Sequence, residues 1–233
     1  MKKHIPNALT SANLLCGMIG IIYVLAGEIS FGAYFIFLAA LFDFLDGFVA
    51  RMLKVSSDIG KQLDSLADLV TFGVLPSFIL FKMVESNTGI WFLPFLVLVV
   101  GIFSAVRLAK FNIDERQSDR FIGVPTPANA LLISTLPFLA EKSLFFEQHL
   151  SNPHVLIGLA FLMSYLLVAE LPLIALKFKD FSFASNIFRY LVITAALIFL
   201  ILLGIAGIPF AIISYIALSI VEAWISKNAE QVH

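Results

Sequence analysis

Residues 43–68 read D-F-L-D-G-F-V-A-R-M-L-K-V-S-S-D-I-G-K-Q-L-D-S-L-A-D and set four aspartates into the ends of two long apolar runs. Asp43 and Asp46 are three apart and Asp64 and Asp68 four apart, so each pair lies on one face of a helix. The short connection 54–60 makes the two helices antiparallel neighbours, and if those faces meet, four carboxylates converge. An acid at the centre of a membrane helix costs roughly 2.5–3.5 kcal/mol, less near the interface. A bland structural role does not account for four of them.

The setting is a bilayer. Of 233 residues, 60% are hydrophobic and 13% charged, with 15 Lys+Arg against 16 Asp+Glu, whereas a water-facing surface needs about a quarter of its residues charged. The near-zero net charge argues against nucleic-acid binding, and the single cysteine, Cys16, excludes an intramolecular disulfide framework. Eight apolar stretches of about 20 residues are expected to span, near 8–27, 31–53, 60–83, 90–110, 124–141, 154–177, 188–204 and 207–226. They are continuous instead of alternating, which favours helices over a barrel. The expectation is an all-α, polytopic bundle forming one membrane domain, with a core over 1–180 and a C-terminal helical pair over 187–226. Lys2, Lys3, Arg51, Lys54, Lys61, Arg107, Lys110, Arg116, Arg120, Lys177, Lys179, Arg189 and Lys227 fall on one side of this arrangement, leaving Lys82 and Lys142 opposite. By the positive-inside rule both termini face the cytoplasm. The first run is read as a retained helix, not a cleaved signal, because Asn7, Thr10, Ser11 and Asn13 interrupt it and everything downstream is membrane.

Clustered carboxylates need counter-charge, and an oxygen-only ligand set without His or Cys points to Mg²⁺, Mn²⁺ or Ca²⁺. Two such ions side by side can clamp a diphosphate. Gly47, four after Asp43, Ala50, four after Asp46, and Gly60, four before Asp64, line the acidic face with small residues. Small residues in membrane helices otherwise serve close packing, but their alignment with the acids favours ligand approach. Arg51 stands either to contact a phosphate oxygen or to snorkel at the interface.

The run 43–68 resembles the signature of the CDP-alcohol phosphotransferase family, D-x2-D-G-x2-A-R-x8-G-x3-D-x3-D, at all eight fixed positions. The resemblance implies an integral membrane enzyme that moves a phosphatidyl group from a CDP-linked lipid to an alcohol and releases CMP. It implies that Asp43, Asp46, Asp64 and Asp68 hold two divalent cations, Mg²⁺ or Mn²⁺, and that Asp68 also serves as general base. It assigns Gly47, Arg51 and Gly60, together with Ser57, Asn7 and Thr10, to the CDP-lipid. A six-helix core and a homodimer are further family expectations, with the active site on the cytoplasmic side of the inner membrane.

The segment 104–130, with S-A-V-R-L-A-K-F-N and F-I-G-V-P-T-P-A-N-A, and the stretch D-S-L-A-D-L-V-T-F-G-V-L-P-S resemble a bacterial subfamily that uses L-serine as acceptor and CDP-diacylglycerol as donor. Arg107 and Lys110, three apart, and Asn112 form a wall for the lipid-side phosphate or the serine carboxylate; positive-inside anchoring is the plainer reading. Pro125 and Pro127 keep the fifth span from starting earlier. Glu170, beside Pro172, is an intramembrane acid without an assigned role. The alternatives are the same chemistry with glycerol 3-phosphate or an inositol phosphate, and, from other classes, a cation or proton transporter or a structural assembly subunit.

Overall fold

The computed structural model describes residues 4–55, 57–114, 121–175, 182–183 and 186–230, with side-chain detail for all of these except Phe121 and 227–230. Lys2, Lys3, Arg116, Arg120, Lys177 and Lys179 lie outside the described residues, as does the side chain of Lys227.

The apolar runs form eleven helices among the described residues. They are α1 (His4–Leu25), α2 (Ile29–Leu53), α3 (Asp58–Asp68), α4 (Leu75–Glu85), α5 (Val99–Ile113), α6 (Thr126–Ser134), α7 (Leu136–Ala140), α8 (Leu144–Leu150), α9 (Pro153–Val168), α10 (Ile187–Leu203) and α11 (Ile208–Glu230). A π turn, Leu69–Val74, joins α3 to α4; 3₁₀ turns, Leu93–Leu98 and Gly204–Gly207, lead into α5 and α11. The all-α expectation holds apart from one two-residue antiparallel pairing of β1 (Phe121–Ile122) with β2 (Pro172–Leu173). Ile22, Ile102, Ile201, Leu202 and Trp224 are each more than 60% exposed on the outside. Apolar surface of that size is stable against lipid tails, and the chain is a multi-pass membrane protein.

Among the described residues, five stretches are long and apolar enough to cross a membrane: His4–Leu25, Ile29–Leu53, Asp58–Glu85, Leu93–Ile113 and Ile187–Ser226. The pair α8 and α9, bent by 74°, passes the same test only when taken together, as a broken span or a re-entrant loop. Ile187–Ser226 is itself a hairpin. Phe199 stacks on Phe210 at 5.5 Å, where a straight helix would part them by about 16 Å, and the reversal occurs at Gly204, φ +62.

Two expected spans differ from what forms. The stretch 124–141 is a shorter helix, Thr126–Ala140, interrupted at Thr135, because the Pro137 ring cannot share a helix with the carbonyl four residues earlier. The run 154–177 stops being helical at Val168: Ala169 is extended, and Leu171 precedes Pro172, which disfavours helical backbone there. Glu170 therefore lies beyond the helix, not within it.

The first three long helices set the register of the site. The chain turns at Gly27, φ +98, so α1 and α2 are antiparallel and the start of α1 meets the end of α2. Along α3 and α4 the chain runs parallel to α1, with Asn7 near Gly60, Gly17 against Thr71 and Gly20 against Leu75. Helix α5 runs back along them, Ser104 against Gly73 and Asn112 against Ser65. The C-terminal hairpin docks through Tyr215, whose hydroxyl donates to the Ile174 carbonyl at 3.0 Å, and through Ser219 Oγ, which accepts from Ile174 N–H at 3.2 Å.

Without a hydrophobic drive between helices in lipid, close approach depends on small residues. A Cβ on Gly17 would lie 2.4 Å from Thr71 Oγ1 and 3.0 Å from Thr71 Cα, which is backbone and cannot swing aside. Gly17→Val should therefore destabilise the fold by roughly 1–3 kcal/mol, read as a lower thermal midpoint in detergent. Gly158→Ala, where nothing lies within 4 Å, should leave the midpoint unchanged. Equal midpoints for the two variants would remove the packing role of Gly17.

Candidate active site

Helix α2 ends at Leu53, and Lys54 caps it in the left-handed conformation, φ +53, with Val55 N–H donating to Ala50 O. Helix α3 starts at Asp58, four residues after that cap. Ser57 is extended, and its Oγ accepts from Gly60 N–H at 3.0 Å, the hydrogen bond that opens a helix. The tight connection brings the two acidic faces together.

Asp43, Asp64 and Asp68 offer carboxylate oxygens that all lie within 4.8 Å of one another. Asp46 is outside that trio but buried beside it, its Oδ2 accepting a 2.6 Å hydrogen bond from Thr10 Oγ1. The Thr10 hydroxyl also lies 3.1 Å from the Pro6 carbonyl. Its single proton goes to the carboxylate, the shorter and charge-assisted partner. One turn along α1, Asn13 is fully buried; its Nδ2 donates to Asp68 Oδ1 at 3.2 Å and its carbonyl accepts from Thr71 Oγ1 at 3.1 Å. The π turn that starts at Leu69 widens the helix directly after Asp68, a distortion often found at functional sites.

These residues fit a divalent cation. Among the described residues no basic side chain pairs with Asp43, Asp46, Asp64 or Asp68, and Asp64 Oδ1 is buried without a hydrogen-bond partner. Converging hard oxygens with an orphaned lone pair are the donor set that Mg²⁺ or Mn²⁺ takes.

A cavity of about 160 Å³ opens next to the acids, lined by Asn7, Thr10, Asp46, Gly47, Ser57, Gly60, Lys61 and Asp64 among others. Five of the six residues expected at a CDP-lipid site thus share one cavity. Arg51, the sixth, does not line it, but its guanidinium nitrogens come within 3.6 and 3.9 Å of where a Gly47 Cβ would be. Apart from its own helix backbone, no other atom lies within 4 Å of that position, so Gly47 faces no neighbouring helix and the packing reading does not apply to it. The Ser57 oxygen is already engaged as the cap of α3.

A second cavity, about 340 Å³, is lined by Arg107, Lys110, Asp114 and Glu170 with apolar neighbours. Arg107 is buried; its Nη1 donates to Thr126 Oγ1 at 2.7 Å, its guanidinium lies over the Phe111 ring at 5.5 Å, and its Nε has no partner. Asn112 does not join it. Its Nδ2 donates to Ser65 Oγ at 2.9 Å and ties α5 to α3. Sequence reasoning missed Thr126, Lys61 and the fully buried Asn129, whose amide has no partner at either end. Asn13 had left a signal, as a polar residue in an apolar run.

A family model described as CDP-alcohol phosphatidyltransferase matches residues 3–175. A Bacillus subtilis protein named CDP-diacylglycerol–serine O-phosphatidyltransferase is 39% identical over 140 residues, covering 58% of this chain and 76% of its own. A Helicobacter pylori protein of the same name is 34% identical over 196 residues, covering 83% and 81%. A Methanocaldococcus jannaschii protein of that name is 37% identical over 129 residues, covering 55% and 58%.

Thr10→Val keeps the shape of the side chain and deletes the proton given to Asp46. A hydrogen bond to a charged group contributes about 1.5–3 kcal/mol, so this variant should unfold at lower denaturant than wild type by that order. Thr10→Ser should stay close to wild type. A loss in Thr10→Ser with none in Thr10→Val would show that the methyl group, not the hydroxyl, matters at this position.

Proposed function

Because the chain belongs to the CDP-alcohol phosphatidyltransferase family, we propose that it transfers the phosphatidyl group of CDP-diacylglycerol to the hydroxyl of L-serine, giving phosphatidylserine and CMP. The observation that carries this reading is the convergence of Asp43, Asp64 and Asp68 beside a cavity lined by Gly47 and Gly60. The matched relatives from B. subtilis and H. pylori, both named for serine, support the acceptor.

Asp43, Asp46, Asp64 and Asp68 would hold two divalent cations, Mg²⁺ or Mn²⁺. When bound, such ions supply positive charge against the diphosphate and against the charge that develops in the displacement. The chain's own residues do the rest. Gly47 and Gly60 let the diphosphate approach the backbone, and Arg51 and Lys61 offer cations at its edge. Asn13 holds Oδ1 of Asp68, leaving Oδ2 to take the serine hydroxyl proton. The serine oxygen attacks the lipid-side phosphorus, the bond from that phosphorus to the bridging oxygen breaks, and CMP leaves. Serine hydroxyl is a weak nucleophile at neutral pH, so base assistance is required. Arg107 and Lys110 would receive the carboxylate of serine or the lipid-side phosphate.

The active site and both termini would face the cytoplasm at the inner membrane. This rests on Arg51, Lys54, Lys61, Arg107 and Lys110 gathering at the acidic end of the bundle while Lys82 lies in the last turn of α4 and Lys142 in the turn between α7 and α8. We further propose one membrane domain in which the pair α10 and α11 is appended to the family core, and a homodimer as the working assembly. A conduction path would spread acids through the depth of the membrane, whereas here they share one end of α2 and α3.

Purified protein with CDP-diacylglycerol and Mn²⁺ or Mg²⁺ should release CMP on addition of L-serine, and chelator should abolish the release. CMP formed only with glycerol 3-phosphate or inositol phosphate would replace the acceptor, and no CMP with any acceptor from folded, metal-loaded protein would replace the reading. Asp68→Asn should bind CDP-diacylglycerol normally and lose roughly 10²-fold or more in kcat; wild-type turnover would remove it as the base.

A further inference from the structure

The second cavity carries charge of both signs, and the proposed chemistry of the first assigns a role only to its positive members. Arg107 and Lys110 come from α5, while Glu170 comes from the segment just beyond α9. Glu170 is exposed to the cavity and makes no ion pair or hydrogen bond among the described residues. An unpaired carboxylate in a membrane protein is costly unless solvated or matched by a ligand.

Its position is built. The backbone around it is clamped to the segment that enters α6: Val124 N–H donates to Leu166 O and Gly123 N–H to Leu171 O, both at 2.9 Å, and β1 pairs with β2. Gly123 has φ +74, and a Cβ there would lie 2.6 Å from the Leu167 carbonyl oxygen, so this contact requires glycine. Two residues after Val124 on the same segment, Thr126 accepts from Arg107. One short stretch of chain therefore fixes both Glu170 and the buried cation of the cavity, whose other acid, Asp114, follows α5. Helix α5 packs Ser104 on Gly73 and bonds Asn112 to Ser65, so Arg107 between them lies alongside the stretch that carries Asp68, which places the cavity next to the proposed base.

We propose that Glu170 binds the α-ammonium group of the acceptor while Arg107 and Lys110 bind its α-carboxylate, so that this cavity selects a zwitterionic amino acid. The inference rests on the serine reading above and adds to it the source of acceptor specificity. A phosphomonoester acceptor carries no cation for Glu170 and brings a second negative charge towards it. Three features of L-serine are thus read separately: carboxylate at α5, ammonium at Glu170, and hydroxyl at Asp68.

The test uses the full-length protein in detergent with CDP-diacylglycerol and Mn²⁺, comparing L-serine with 3-hydroxypropanoate, which keeps the hydroxyl and the carboxylate but lacks the ammonium. Both are measured as acceptors and, for 3-hydroxypropanoate, as an inhibitor of serine-dependent CMP release. Glu170→Gln should raise KM for L-serine by about tenfold or more, with kcat and the KM for CDP-diacylglycerol within about twofold, and Glu170→Asp should recover part of the loss. The inhibition constant for 3-hydroxypropanoate should stay unchanged or fall. An unchanged serine KM in Glu170→Gln, or equal weakening of serine and 3-hydroxypropanoate, overturns the ammonium site alone. Wild-type protein that uses glycerol 3-phosphate and not serine overturns the acceptor reading, and this inference with it.

Discussion

Mutual repulsion among the aspartates of α2 and α3, at the membrane end of two apolar helices, has to be contained before anything else in the molecule can work. Helix α1 does the containing. Thr10 and Asn13, one turn apart, reach to Asp46 of α2 and to Asp68 of α3, so one helix face splints both acid-bearing helices. The same face continues with Gly17 and Gly20, where the side chains shrink to nothing and α1 presses against Thr71 and Leu75. Polar reach at one end and close packing at the other belong to a single buried stripe. Loosening the packing end would tilt α1 and withdraw the donors from the acids. The tie from Thr71 Oγ1 to the Asn13 carbonyl couples the two ends directly.

The opposite wall is held by a different device. Helix α5 brings Arg107 inward, and the charge is tolerated because Thr126 accepts from it and Phe111 stacks against it. Thr126 is the first residue of α6, and its position follows from Gly123 and the short strand pairing with 172–173. The break that ends α9 early is part of this wall. Had the helix continued to residue 177, Glu170 would have remained on a helical face, and Leu171 could not have accepted from Gly123 N–H.

The acidic cluster was legible because helical spacing places residues three and four apart on one face, and a short connection forces two helices to be neighbours. Spacing from the acids also pointed to the cavity residues Gly47 and Gly60, while Asn7, Thr10 and Ser57 came only through the family resemblance. What it could not give was pairing between helices distant in sequence. Thr10, expected at the CDP-lipid, lines the cavity and also donates to an acid 36 residues away, and Asn112, expected at the acceptor, bonds Ser65, 47 residues away. Hydropathy also averaged over the kink at Thr135 and the end of α9, since Leu, Ile and Ala around a proline score as apolar whether or not the helix continues.

Glycine shows how packing and ligand space divide within one fold. At Gly17, Gly20 and Gly32 an added Cβ would meet a neighbour at 2.4–2.6 Å, whereas at Gly47 the nearest atom is a guanidinium nitrogen 3.6 Å away. Composition treats these residues alike, and a membrane helix rich in small residues is by default a packing helix. The surroundings separate them. Where glycine faces another helix it fixes the distance between α1, α2 and α4, and therefore the spread of the carboxylates. Where it faces the cavity it leaves the backbone bare beside Asp46 and within reach of Arg51, so that a phosphate group can come closer than any side chain would allow. Rigidity on one side of α2 is thus the condition for open space on the other: under the proposed function the acidic site accepts a bulky anionic lipid headgroup, and it cannot also depend on that headgroup to hold its own helices in place.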